Sequence, residues 1–399
     1  IRFSTVLLRS MDQLAAQYRK QFPILETATY MISNSLGAMP KEVESELMAY
    51  TKLWQTEGVE AWHEWFPFVD EVSGLLGKII NADASDVTLI HNLTVASGLI
   101  ASALDFTGKR NKVVFTDLHF PTISYVWHGW QKYGAKVHLV KSDDGIWVDP
   151  AKICEAIDEE TLIVPISHVY FRSGAIQDIK TIIDHAHSKG AIVMVDSYQA
   201  AGVVPIDVKA LNVDILCTGV LKWLCGGPGA AFMYVRKDLQ QKLEPAIRGW
   251  LSDKAPFDFI MPDVTWDPGM HRFLTSSIQV PCLHTARPAL KMIGEIGVDK
   301  IREKSLLMTQ RIIDRADEYG FTVNSPREAH KRAGALTIDP VGKNSTSKLT
   351  TQQVCDELIK RRFTVDYRPP FGMRIAPHFY NTMDEVDAVM AEMRKLVQP

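Results

Sequence analysis

The chain has 399 residues, 46% hydrophobic and 23% charged, with a net charge of −3. That is an ordinary globular composition with room for two or three domains, and its near-even charge gives no electrostatic grounds for a nucleic-acid or anionic-membrane partner. No apolar stretch reaches the ~18 residues of a membrane span, and the opening Ile1-Arg2-Phe3-Ser4-Thr5-Val6-Leu7-Leu8-Arg9 is too short and too charged to read as a signal peptide. The cysteines are odd in number and lack CxxC spacing. They read as thiols of a reducing compartment, the cytoplasm, without a disulfide framework or a zinc site.

In chain order, Trp62, His63, Trp65 and Phe66 come first as an aromatic cluster that suits a pocket wall or a subunit interface equally. His91-Asn92-Leu93-Thr94-Val95-Ala96-Ser97-Gly98 reads as a turn leading into a helix. Short apolar runs then alternate with helical patterns. Val113-Val114-Phe115 precedes a helical stretch ending near Tyr133; Val137-His138-Leu139-Val140 and Thr161-Leu162-Ile163-Val164-Pro165 follow. Ile179, Ile182, Ile183 and Ala186 share one helical face, stopped by Gly190. Residues 191–195, 213–217 and 230–235 complete the series. Strands that are apolar throughout, alternating with helices, indicate an α/β fold with a mostly parallel sheet covered on both faces. In such sheets the ligand sits beyond the carboxyl ends of the strands.

The pattern changes near Pro288. A long helical stretch over 289–319 is followed by strand-like runs at 322–323 and 335–338, a helix near 351–362, a strand near 364–367 and a last helix from Met383. The expected division is a segment 1–40 joining the small domain, a large domain 41–287 and a smaller α+β domain 288–399.

Lys222 carries the chemistry. It lies just past an apolar run and just before Gly226-Gly227-Pro228-Gly229, and Asp196 ends another apolar run upstream. An acid at the end of one buried strand and a lysine after a later one is the pair that pyridoxal phosphate (PLP) needs. The lysine forms the Schiff base, and the carboxylate keeps the pyridine nitrogen protonated so that the ring acts as an electron sink. Asp and Lys near strand ends are also common surface residues, so the neighbours decide. His119 and His168 follow other runs at the same edge. Thr94 and the amide of Val95, at a helix N-terminus, suit a phosphate, although a plain N-cap is the commoner use of Thr. Phe120 first, and His119 second, would lay a flat ring over the cofactor. Ser197 and Gln199 flank Asp196, and Gln199 suits the cofactor's phenolic oxygen. Arg374, on an apolar strand, needs a partner: a substrate carboxylate or a structural ion pair. Cys225 reads as a buried thiol.

These residues resemble fold-type I PLP enzymes of the class V aminotransferase group over nearly the whole length, and within it the kynureninases. Asn34-Ser35-Leu36-Gly37, Phe120-Pro121-Thr122, Ser167-His168-Val169, Lys222 with its glycine-rich turn, Gly249-Trp250 and the ending Arg374-Ile375-Ala376-Pro377-His378 carry the resemblance. It implies a PLP-dependent transferase fold in which Lys222 is the catalytic lysine and Asp196 pairs with the pyridine nitrogen. It further implies that Thr94 and Val95 hold the phosphate, Phe120 stacks, and Arg374, with Asn34 and Ser35, binds the substrate. Trp250 and Thr275 would reach the phosphate from the partner in a homodimer. Four positions depart from the kynureninase pattern: Leu221 replaces the Tyr before the lysine, Gln199 a His, Ile123 an acid and Tyr170 an Asn. A small amino acid is the expected substrate, with cleavage or elimination at Cβ ahead of transamination. A desulfurase is disfavoured because Lys331-Arg332-Ala333-Gly334 has no Cys where that chemistry needs one. A non-catalytic binding protein is disfavoured because Asp196, Lys222 and Arg374 are all kept.

Overall fold

The computed structural model describes residues 13–259, 261, 265–342 and 347–398. A short first strand, β1 (Thr29–Tyr30), belongs to the C-terminal part of the molecule. The large domain is built on seven strands: β2 (Val87–Ile90), β3 (Lys112–Thr116), β4 (Lys136–Val140), β5 (Thr161–Ser167), β6 (Ile192–Asp196), β7 (Ile215–Gly219) and β8 (Ala231–Val235). Their order is β2-β8-β7-β6-β5-β3-β4, parallel except for the two pairs that involve β8. Strands β7 and β8 are buried at every position. Helices cover both faces, so the inner strands must be apolar on both sides, which is why these runs do not alternate. The edge strand β4 is mostly exposed and carries Lys136 and His138, and a charged edge resists pairing with another chain.

Two antiparallel contacts at β8 make β2 run in the same direction as β7. The carboxyl ends of β2, β3, β5, β6 and β7 therefore share one edge of the sheet. Thr94, Phe120, His168, Asp196 and Lys222 all follow those ends, as the alternating pattern predicts. The strand β2 itself was not among the expected elements; its four residues are all buried, Thr88 included.

The C-terminal part contains β9 (Thr322–Val323), β10 (Leu336–Asp339), β11 (Phe363–Thr364), β12 (Asp366–Arg368) and β13 (Gly372–Ile375). Four of these form an antiparallel sheet, β12-β13-β10-β9, and β11 pairs in parallel with β1. Helices Val298–Tyr319, Thr351–Lys360 and Met383–Val397 cover the sheet, the last two begun by capping boxes, Thr350 with Gln353 and Thr382 with Glu385. Met31 lies in this domain's apolar core, and Ile32 pairs with Ala376. Both contacts tie residues 31 and 32 to this sheet and its core; residues 1–12 of the segment expected to join it lie outside the described residues.

The helical stretch expected over 289–319 is two helices, Val280–Ile296 and Val298–Tyr319, broken at Gly297 with φ 82°. Val280–Ile296 packs against Glu42–Glu57 and Trp62–Ile80 of the large domain. Residues 287 and 288, where the division is expected, lie within the helix Val280–Ile296. Neither Trp62, Trp65 nor Phe66 reaches the strand ends: Trp62 stacks on Phe66, and Phe66 meets Trp250 and Phe257.

The N-terminal segment also braces the lysine loop. Gly37 donates its N–H to the Leu221 carbonyl at 2.7 Å. A Cβ on Gly37 would collide with the Lys222 carbonyl and with Cys225. Gly37→Ala is therefore expected to push the loop aside, at ~1–3 kcal/mol of overpacking, and to weaken PLP binding about tenfold. An absorbance titration with PLP, alongside a thermal melt, checks this; an unchanged affinity would show that the brace is irrelevant to the lysine.

Candidate active site

The strand ends enclose a cavity of about 220 Å³ lined by Thr94, Phe120, Asp196, Tyr198, Gln199 and Lys222, among others. Asp196 is 7% exposed. Its Oδ1 accepts the Tyr198 backbone N–H at 2.9 Å, and its Oδ2 lies 3.5 Å from Ser167 Oγ. Ser167 Oγ is also 2.7 Å from His119 Nδ1. Burial raises the Asp196 carboxyl above its ordinary value, while the Tyr198 N–H, Lys222 and Ser167 pull the other way.

Lys222 is the counterpart. Its amine has the Phe120 and Tyr198 ring centres at 5.7 and 5.5 Å and no hydrogen-bond partner among the described residues. Burial pulls its pKa down to about 8; Asp196 opposes that shift, and the positive fields of Arg374 and Arg368 add to it. Desolvation wins because a charge in a dry cavity costs more than one partly hydrogen-bonded carboxylate returns.

The other expected residues divide by position. Phe120 is 46% exposed, its ring edge-on to Phe171 at 5.2 Å, so its face is free for a flat partner. His119 is buried under it, held by Ser167, with burial pushing its pKa down to about 3. Of the two stacking candidates, Phe120 lines the cavity and His119 does not. His168, likewise buried, donates its backbone N–H to the Asp196 carbonyl, and Ser197 is fully buried with its hydroxyl unpaired; neither lines the cavity. Gln199 does. Its Nε2 donates to the Asn34 carbonyl at 2.9 Å and its Oε1 accepts from Trp223 Nε1 at 3.2 Å.

The helix Leu93–Ser102 starts at the cavity. Asn92 caps it, its side chain accepting the Val95 N–H at 3.0 Å. Val95's donor is therefore engaged, whereas Thr94 Oγ1 has only Thr122 Oγ1, at 3.5 Å. Arg374 is 2% exposed on β13, opposite Asp366 in register on β12. Its Nε and Nη2 clamp that carboxylate at 2.8 and 2.5 Å, and its Nη1 donates to the Phe171 carbonyl at 2.9 Å. The structural ion pair is thus present, and Arg374 keeps spare N–H donors. Trp250 and Thr275 line no part of this cavity; Trp250 stacks on Phe259 in an exposed aromatic patch with Phe257. Cys225 is buried away from the cavity and its thiol is pushed up to about 12. Cys355 is buried on the helix Thr351–Lys360.

Tyr198 is the residue that sequence reasoning missed. It stands two past Asp196, and the Asp-Ser-Tyr-Gln order was the available signal.

These residues fit PLP. A buried acid faces a dehydrated lysine, a free aromatic face stands beside them, and a helix N-terminus with an uncommitted hydroxyl closes the cavity. Asn34, 1% exposed and joined by its carbonyl to the cavity residue Gln199, does not itself line the cavity and has both side-chain polar atoms unpaired. An amide left so costs ~1–3 kcal/mol unless a ligand satisfies it.

The sequence matches the aminotransferase class-V family across residues 29–389. The chain belongs to that family. It is 31% identical to an uncharacterized aminotransferase, YcbU, of Bacillus subtilis, over 96% of this chain and 98% of the relative. It is 27% identical to the kynureninase of Geobacillus thermodenitrificans, over 98% and 94%. The fold superimposes on the apo cysteine desulfurase of Thermococcus onnurineus with a TM-score of 0.85 at 21% identity, over 96% and 98%. The protein is accordingly a type I fold, PLP-dependent enzyme. No helix among the described residues is long and apolar enough to cross a membrane.

Only a neutral amine attacks the PLP aldehyde. With the Lys222 pKa near 8, the neutral fraction grows as pH rises through that value. Uptake of PLP by the apo-protein, followed by its visible band, is expected to speed up about tenfold per pH unit below about pH 8 and to level off above about pH 9. A rate that keeps climbing past about pH 10 would mean an ordinary solvated lysine.

Proposed function

We propose that this enzyme acts on an amino acid with an apolar or aromatic side chain and breaks a bond at its Cβ. The observation that carries this is a desolvated Lys222 facing buried Asp196 in a cavity whose other walls are largely apolar: Leu93, Phe120, Val169, Phe171 and Leu221. The named kynureninase relative supports the Cβ outcome.

When bound, PLP supplies an electron sink for negative charge at Cα. The chain supplies the rest. Lys222 holds the cofactor, then as a neutral amine takes the Cα proton and delivers it to the leaving group or back to carbon. Asp196 would pair with the pyridine nitrogen, and Ser167, itself 2.7 Å from His119 Nδ1, lies 3.5 Å from that carboxylate. Phe120 would stack on the ring and Gln199 would serve its phenolic oxygen. Thr94 would take the phosphate, and the Val95 N–H could join it only by giving up Asn92. Arg374, Asn34 and Ser35 take the substrate carboxylate. Trp250 and Thr275 would serve the site of a second copy, for which the exposed patch of Trp250, Phe257 and Phe259 gives an apolar contact surface.

Transamination is the second reading, and Leu221 favours it. With an apolar residue before the lysine, that position supplies no second proton-transfer group beside Lys222, and moving a proton between Cα and the cofactor needs only one base. The 31% relative supports this reading.

The two readings separate by product. The loaded enzyme is offered a panel of amino acids that includes kynurenine. Pyruvate or alanine released without an added 2-oxo acid supports Cβ cleavage. A 2-oxo acid formed from the whole side chain, once per site unless an acceptor is added, replaces that reading with transamination.

Arg374→Lys keeps a charge against Asp366 but loses the planar fork. It is expected to raise KM for an α-carboxylate substrate about tenfold with a smaller change in kcat. An unchanged KM would place the carboxylate elsewhere.

A further inference from the structure

The three residues before Lys222 are Gly219, Val220 and Leu221, none with a polar side chain. The lysine loop therefore gives the phosphate end of the cavity no side-chain donor from this stretch. Tyr198 reaches that end from the other direction. Its backbone N–H donates to Asp196 Oδ1 at 2.9 Å, and its phenolic oxygen accepts the N–H of Leu93, the first residue of the helix Leu93–Ser102, at 3.2 Å. One residue thus spans the cavity from the buried carboxylate to the helix N-terminus, with its ring beside the lysine amine.

The space for that ring is made by Gly219. A Cβ there would fall onto Cε1 of Tyr198. Gly219 has no positive φ, so it is required by the close approach of the ring and not by the backbone.

A phenol oxygen that accepts a backbone N–H at the positive end of a helix is polarised, and its own proton becomes a better donor. That proton has no acceptor among the described residues. Burial raises the phenol well above its ordinary value, so the proton stays on. The other donors at this end are neutral as well: Thr94, Thr122 and backbone N–H groups.

We propose that Tyr198 is a positioning residue for the cofactor phosphate. Its hydroxyl donates to a phosphate oxygen while the Leu93 N–H holds it in place, and Gly219 is the glycine that admits it. This concerns how PLP is retained, so it stands or falls independently of the substrate proposed above.

The test compares PLP with pyridoxal, which lacks the phosphate, in the wild type and in Tyr198→Phe. The Phe ring keeps the packing on Gly219 and removes only the hydroxyl. The dissociation constant for PLP is expected to rise about tenfold or more, as for a lost hydrogen bond to a charged group, and that for pyridoxal to stay within about twofold. Inorganic phosphate gives a second readout that needs no turnover: its inhibition of PLP uptake should require about tenfold more phosphate in Tyr198→Phe than in the wild type. Equal losses for PLP and pyridoxal would overturn the proposal in favour of ring packing, and unchanged PLP affinity would overturn it outright. A thermal melt and far-UV circular dichroism confirm that the variant is folded; as a further arm, Gly219→Ala, which displaces the ring, should show the same preference for losing PLP over pyridoxal.

Discussion

The site depends on taking one amine out of water. Lys222 would hold a proton firmly in solvent; in the cavity it has two aromatic faces, a buried carboxylate and the field of two arginines around it. The cost of a dry charge outweighs the attraction of Asp196, and the amine becomes a base close to neutrality. At Asp196 burial also works against the charge and raises the carboxyl, while the Tyr198 N–H, Lys222 and Ser167 pull the other way. Leaving such a carboxylate without its partners would cost ~3–5 kcal/mol, so the pair and its supports form one unit. The sheet serves this unit by bringing the carboxyl ends of β6 and β7 side by side.

Much of the architecture is legible in the sequence because its cause is local. Strands buried on both faces must be apolar throughout, so residues 191–195 and 213–217 announce themselves, and with them the positions just beyond, where Asp196 and Lys222 lie. The capped helix at Thr94 is equally local. What is not legible depends on partners far along the chain. The strand β2 is four residues whose role as a strand comes from pairing with β8. Gly297 interrupts a helical pattern that could also run through a glycine, and only its positive φ and the separate packing of the two helices divide them. Arg374 reads as a free clamp until the antiparallel register of β12 and β13 sets Asp366 opposite it.

Tyr198 is the clearest case. Alone, a tyrosine after a strand reads as a core ring. Its meaning comes from Gly219, which makes room for it, and from Leu93, which orients its oxygen. No periodicity joins those three positions; the crossover connections of the sheet do.

The central claim is that Lys222 is the residue that carries the cofactor, and borohydride reduction tests it most directly. The PLP-loaded protein is reduced, digested and analysed by peptide mass spectrometry. The account predicts a pyridoxyl group on the peptide that contains Lys222 and on no other lysine. A label on a different lysine, or no label despite bound PLP, would contradict it.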